Sequence, residues 1–297
     1  MSLGKKITFV VSNFGKGSNQ PGAKPDPFIG ALKNSISQIY PEAKILVCCN
    51  ELEDKNLKDQ INNLIDIARD NCKFLNLSPG SLKLVTHYFA WQFIDTEWAI
   101  FLDSDMLLLK NIDEYLTEDT DYIFTWRKKD MTVPGEWPWL NAGTMICRNN
   151  DNVRMFWQHY YNLMWKHAMM HRGDQFAFVE LLQPFDNHIN RGKALFSLPN
   201  SEQIKFQLHG INFKAVHCDY LNRSDGYEPW LDHTAIQHLK GIQGTVITQT
   251  DKEDRYNVFL NQTLPNLPEE KRKNLKIRID LWKKFAPKEI ADGVIDL

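Results

Sequence analysis

Asp103 and Asp105 stand two residues apart, after the apolar run Trp98-Ala99-Ile100-Phe101-Leu102 and before Met106-Leu107-Leu108-Leu109. Carboxylates set that deep in apolar sequence are costly unless they are paired or bound to a metal. At this spacing two of them can jointly hold a hard divalent cation. Such a cation can bridge two phosphates and neutralise a diphosphate leaving group. The triplet by itself says little, because chance supplies others. Asp119-Thr120-Asp121 is one, but it lies in the polar run from Thr117 to Asp121 and reads as a surface turn.

Four further clusters could serve the same chemistry, and each has a plainer alternative. In His238-Leu239-Lys240-Gly241 a neutral imidazole suits a Mn²⁺-like ion, a Lys can reach phosphate, and Gly permits close backbone approach. A lone histidine is more often a satisfied structural residue. Leu140-Asn141-Ala142-Gly143-Thr144 offers small residues beside an Asn that can bond sugar hydroxyls, or else a turn entering a strand. In Gly173-Asp174-Gln175 the Asp either faces a substrate or N-caps the helix that follows. Trp137-Pro138-Trp139 can stack on a sugar ring or plug a gap in the core.

The elements that must position these residues follow from periodicity. Ile7 to Val11 is a short apolar run rich in β-branched residues, opening into the polar loop Ser12 to Gly17. Pro27 to Tyr40 reads as a helix, Ala43 to Cys49 as a strand, Leu57 to Arg69 as a helix and Cys72 to Leu77 as a strand. Ser81 to Phe93 is helical by the spacing of Leu82, Val85, Phe89 and Phe93, and Trp98 to Leu102 is a strand that delivers Asp103. Strands at Tyr122 to Trp126, Ala142 to Cys147, Ala194 to Leu198 and Ala215 to Cys218 follow, with helices at Val153 to His167 and Asp174 to Leu182. Strands alternating with helices predict an α/β fold with a mainly parallel sheet covered on both faces. Ligands of such sheets bind at the carboxyl ends of the strands, so Ser12 and Asp103 should share one rim. The composition shifts after about residue 249. Residues 1–249 are predicted as one domain and 250–297 as a helical tail packed on it, with Leu275, Ile279 and Trp282 on its apolar stripe.

Composition narrows the class. The chain has 297 residues and a formal net charge of -2, which gives no general attraction to nucleic acid or anionic membranes. The basic stretch from Lys271 to Lys284 reads as a solvated face before it reads as a membrane contact. No apolar run approaches the ~20 residues of a membrane span. The five cysteines lack metal-ligand spacing, so a reduced, cytoplasmic setting is expected. Sequons at Asn76, Asn222 and Asn261 carry little weight in that setting.

In order, Val11-Ser12-Asn13, Lys83, Phe101-Leu102-Asp103-Ser104-Asp105-Met106, Asn141-Ala142-Gly143, Asp174-Gln175 and His238-Leu239-Lys240-Gly241 resemble the glycosyltransferases of GT-A fold, and most nearly family 8, the glycogenin and galactosyltransferase-like group. The resemblance spans residues 7–245. It implies that Asp103, Asp105 and His238 hold Mn²⁺, or Mg²⁺, against the diphosphate of a nucleotide-sugar donor, a UDP-sugar before others. Val11, Ser12 and Asn13 would line the base pocket. Lys83, Lys240 and Gly241 would contact phosphate or donor sugar, with Ser104 beside them. Asn141, Ala142, Gly143 and Asp174 would hold the donor sugar, with Gln175 near its anomeric carbon. The acceptor would be a saccharide, lipid or protein. Retention of configuration asks for no strong base, whereas inversion would make Asp174 the base that deprotonates the acceptor.

Three other classes compete. A haloacid-dehalogenase-like phosphatase also places DxD after an apolar strand, but it wants Thr or Val where Leu107 stands. A sugar-nucleotide pyrophosphorylase needs an Arg-containing Gly-rich loop, which Ser12 to Gly17 is not. A binding module without turnover would have no need to keep Asp103, Asp105, Asp174 and His238 together.

Overall fold

A computed structural model of the chain describes residues 3–12, 27–48, 79–127, 140–167, 173–182, 203–223, 229–239 and 259–288. The elements in chain order are β1 (Ile7–Ser12), α1 (Pro27–Ile39), β2 (Lys44–Cys48), α2 (Pro79–Ala90), β3 (Trp98–Asp103), β4 (Met106–Leu108), β5 (Tyr122–Trp126), β6 (Leu140–Arg148), α3 (Asp151–Met164), α4 (Gly173–Leu181), β7 (Gln203–Leu208), β8 (Ile211–His217), α5 (Cys218–Leu221), β9 (Ile236–His238) and α6 (Glu269–Phe285). The helix expected at 57–69, the strands expected at 72–77 and 194–198, and Trp137-Pro138-Trp139 lie outside the described residues. Two compact units are present. One comprises residues 1–23, 42–103 and 112–218, and the other residues 24–41, 104–111 and 219–297.

The first unit is a seven-stranded sheet in the order β2-β1-β3-β6-β5-β8-β7. β1 runs parallel to β2 and β3, and β5 parallel to β8, while β6 and β7 pair antiparallel to their neighbours. Followed across these pairings, β2, β1, β3, β5 and β8 point one way, so the sheet is mainly parallel, as predicted. Helices α2, α3 and α4 pack on the face that carries Val10, Phe101, Tyr122, Phe124, Met145 and Phe213. Phe9, Val11, Ile100, Leu102 and Ile146 point the other way and are fully buried too. Burial on both faces explains why these strands read as unbroken apolar runs.

The register of β3 decides where Asp103 lands, and a polar staple in front of the strand fixes it. Arg154 donates to the carbonyls of Trp91 and Ile94 at 3.1 Å, and its guanidinium lies over the Trp91 ring. Asn149 Nδ2 donates to the carbonyls of Ile94 and Thr96. Thr8 and Thr96 hydroxyls meet at 2.7 Å. With its start pinned, β3 pairs Val11 with Leu102 and Ser12 with Asp103, which puts the ends of β1 and β3 side by side.

The second unit holds the two-stranded antiparallel pair β4–β9, flanked by α1 and α6. Phe28, Ala31, Leu107, Leu239, Leu275, Ile279, Trp282 and Phe285 form its apolar core. Leu275, Ile279, Trp282 and Phe285 recur at three- and four-residue intervals, and Lys271, Arg272, Lys273, Lys276 and Lys284 are exposed. Ser35 ties α1 to β4 by accepting from the Leu108 amide at 3.0 Å. Gly30 is required where it stands, since a Cβ there would lie 2.8 Å from Pro287 Cγ. No helix among the described residues is long and apolar enough to cross a membrane.

Candidate metal and donor site

Lys83 is the hub of the first unit's polar cluster. It sits mid-way along α2, on the turn that faces the end of β3. Its Nζ donates to Asp103 Oδ1 at 2.9 Å and to the Ala142 carbonyl at 3.2 Å, and it ion-pairs with Asp174 Oδ2 at 3.3 Å. Burial alone would lower the lysine's pKa, but the Asp103 and Asp174 carboxylates outweigh it and hold the ammonium above its ordinary value. Asp174 is almost fully buried, so the lysine is the charge that makes its burial tolerable. Asp174 occupies the second position of α4 and not the cap, and its backbone carbonyl accepts from Tyr160 Oη at 2.9 Å. Capping by Asp174, the plain reading of that motif, is therefore not its role.

The Asn141-Ala142-Gly143 segment lies within β6 and not in a turn before it, because the strand starts at Leu140. Its peculiarity is a break in pairing with β5. Phe124 pairs with Met145 and the next residue, Thr125, with Asn141. The residues of β6 between these partners bulge out of that ladder, an irregularity that commonly re-aims backbone groups at functional sites. Thr125 Oγ1 compensates by donating to the Asn141 carbonyl at 2.7 Å, and the Gly143 amide donates to Asn141 Oδ1 at 3.2 Å. The Ala142 carbonyl is left facing Lys83.

Gln175 follows Asp174 and is 8% exposed, and its Oε1 has no hydrogen-bond partner among the described residues. Trp126 Nε1 and both ring nitrogens of His87 share that condition. His87 lies one turn after Lys83, packed on Phe101 and Trp157 with ring centroids at 5.0 and 6.4 Å. Burial, reinforced by the Lys83 cation, pushes its pKa well below the ordinary imidazole range.

In the second unit, β9 places His238 opposite Met106 of β4. His238 Nε2 lies 3.0 Å from Asp105 Oδ1, and His238 Nδ1 lies 2.9 Å from Asn222 Oδ1. The Leu239 amide donates to the Asp105 carbonyl at 2.7 Å, which fixes the turn that bears the carboxylate. His238 is 3% exposed and Asn222 fully buried. Ser104 and Asp105 form the turn between β3 and β4, so Asp103 and Asp105 are separated by one residue of chain.

A donor set of one imidazole nitrogen and carboxylate oxygens suits Mn²⁺ or Mg²⁺. The spacing fits as well, because neighbouring ligand atoms of an octahedral ion with bonds near ~2.1 Å stand about 3 Å apart. Of the other expected site residues, Val11 is fully buried in β1 and Ser12 ends that strand. Asn13, Lys240 and Gly241 lie outside the described residues. Asn222 is the residue that sequence reasoning missed. It drew notice only as part of a sequon, and its full burial removes its amide from any modifying enzyme.

No family model and no curated protein matches the sequence. Among solved structures, the chain is similar to a glycosyltransferase involved in glycosylation of the major capsid of PBCV-1, with 13% identity, TM-score 0.45, and coverage of 84% of this chain and 96% of the other. It is similar to the galactosyltransferase LgtC in complex with donor and acceptor sugar analogs, with 12% identity, TM-score 0.40, and coverage of 90% and 100%. It is also similar to mouse xyloside xylosyltransferase 1, with 12% identity, TM-score 0.42, and coverage of 79% and 97%.

Proposed function

We propose that the chain is a metal-dependent glycosyltransferase of GT-A type that moves a sugar from a nucleoside-diphosphate sugar to an acceptor hydroxyl. The observation that carries this reading is the approach of His238 Nε2 to Asp105 Oδ1 at 3.0 Å, with Asn222 on the other ring nitrogen. Asp103, one residue removed along the chain, would join them as the third ligand of Mn²⁺ or Mg²⁺. When bound, the ion would neutralise the leaving diphosphate.

The chain's own residues supply the rest. Lys83 is a partly buried ammonium whose pKa the Asp103 and Asp174 carboxylates raise, and it would stabilise charge developing on the diphosphate. Asn141, Ala142, Gly143 and Asp174 would hold the donor sugar, and Val11, Ser12 and Asn13 the base. Lys240 and Gly241 would close on the phosphates. Gln175 Oε1, buried without a partner among the described residues, is an acceptor suited to a substrate hydroxyl near the reacting carbon. The Asp174 carboxylate is ion-paired with Lys83, and a carboxylate so paired is a weaker base, which supports the retaining course over the inverting one.

Calorimetry with UDP and GDP, with and without Mn²⁺, tests the proposal. The expected result is Mn²⁺-dependent binding of UDP that Asp105→Asn abolishes. Binding that ignores the metal, or no binding of either nucleotide, would overturn it.

A further inference from the structure

Asn222 is fully buried, and a buried amide must satisfy its polar atoms. Its Oδ1 lies 2.9 Å from His238 Nδ1. An amide oxygen can only accept, so the shared proton belongs to Nδ1. In its neutral form the imidazole then carries its one N–H on Nδ1, and Nε2 presents a lone pair toward the Asp105 carboxylate 3.0 Å away. A lone pair facing a carboxylate oxygen at that distance is repulsive unless a second ring proton or a metal ion sits between them.

We infer that Asn222 is a positioning residue, which locks His238 as the Nδ1–H tautomer and aims Nε2 at a divalent cation shared with Asp105. This rests on the metal reading proposed above. The backbone around Asn222 is held in place. The Arg223 amide donates to the Ile236 carbonyl at 3.2 Å, and the Arg223 carbonyl accepts from the His238 amide at 2.8 Å and from Gln237 Nε2 at 2.7 Å. The Arg223 guanidinium donates to the Pro229 carbonyl at 2.9 Å and ion-pairs with Asp219. The residue next to Asn222 is thus clamped to β9 by main chain and side chain alike. Partners of this kind, one bond removed from the ligand, typically govern metal affinity by ten- to a hundredfold.

Two measurements on the full chain test the inference. The first is the ¹⁵N spectrum of the His238 ring in metal-free protein at pH 8, identified by its loss in His238→Gln. A protonated Nδ1 is expected in the wild type and in Asn222→Asp. An unprotonated Nδ1 in the wild type would overturn the inference. The second is calorimetry with MnCl2 alone. Asn222→Leu should bind Mn²⁺ ten- to a hundredfold more weakly, and Asn222→Asp, which keeps the acceptor and adds basicity, at least as tightly as the wild type. Thermal melting checks that each variant is folded. If Asn222→Leu does not fold, weaker binding by Asn222→Asp overturns the inference. A folded Asn222→Leu with wild-type affinity overturns the role of Asn222 and leaves the metal reading standing. Wild-type protein that takes up no Mn²⁺ overturns both.

Discussion

His87→Leu should flatten the acid side of the protein's stability profile. His87 is 1% exposed, wedged between Phe101 and Trp157, and neither ring nitrogen has a hydrogen-bond partner among the described residues. Burial, with the Lys83 cation adding to it, depresses the folded-state pKa well below the ordinary 6.5. A histidine depressed in the folded state binds a proton more readily when the chain unfolds. Stability is therefore fully present above the unfolded pKa and is lost as pH falls below it. With an unfolded value near 6.5 and a depressed folded one, lowering the pH from 7 to 5 costs at most about 2 kcal/mol from this one group. Leucine has similar bulk, does not titrate and leaves no polar atom unsatisfied, so at pH 7 the variant should be equal or more stable. The assay is urea unfolding of both proteins at a series of pH values from 5 to 8. Other groups titrate in that window, but they cancel in the difference between the two curves. Parallel curves would refute the reasoning, and so would a variant markedly less stable at pH 7.

Lys83→Met should destabilise the fold by about 3–5 kcal/mol, because it strands the buried Asp174 carboxylate without its cation. Chemical unfolding measures it, and Lys83→Arg should recover most of the loss. Trp282→Ala removes a fully buried ring from the core of the second unit and should cost about 3–5 kcal/mol in the same assay.

The strands of the first sheet were legible wherever both faces are buried, because burial leaves an apolar run that sequence displays directly. β1, β2, β3 and β5 were found this way, and Asp103 was placed at the correct rim. β7 was missed although Gln203-Ile204-Lys205-Phe206-Gln207-Leu208 alternates polar and apolar residues along the whole strand. The obstacle was its turn. His209 and Gly210 both adopt positive φ, 52° and 73°, as a two-residue hairpin requires, but His-Gly is a weak signal for such a turn. β4 and β9 have three residues each, too few for any period to show. The partnership of Asn222 with His238 spans 16 residues and leaves no local pattern at all. What could be read from sequence was the candidate ligand. What could not was its buried partner, because that pairing depends on tertiary contact alone.

The two Asp-x-Asp triplets show why context outweighs the motif. In the second one, Asp121 accepts from the Asn212 amide, Asn212 Nδ2 and Asn150 Nδ2, each at 3.0 Å. Asn150 in turn caps α3 through the Val153 amide at 2.9 Å. Asp119 is exposed and accepts from Lys205 and Thr117, bonds that draw its pKa below the ordinary carboxylate range. Both carboxylates are thus occupied in joining β5 to β7, β8 and α3, a structural task. Asp105 faces an imidazole whose other nitrogen is already engaged. The two triplets should therefore respond in opposite ways. Asp121→Ala leaves an amide and two side-chain donors without their acceptor and should cost about 2–3 kcal/mol of stability, with Mn²⁺ binding by the folded protein unchanged. Asp105→Asn should lose Mn²⁺ binding with little change in melting temperature. Calorimetry and thermal melting on both variants decide it. Loss of metal binding in Asp121→Ala, with Asp105→Asn unaffected, would assign the metal to the wrong triplet.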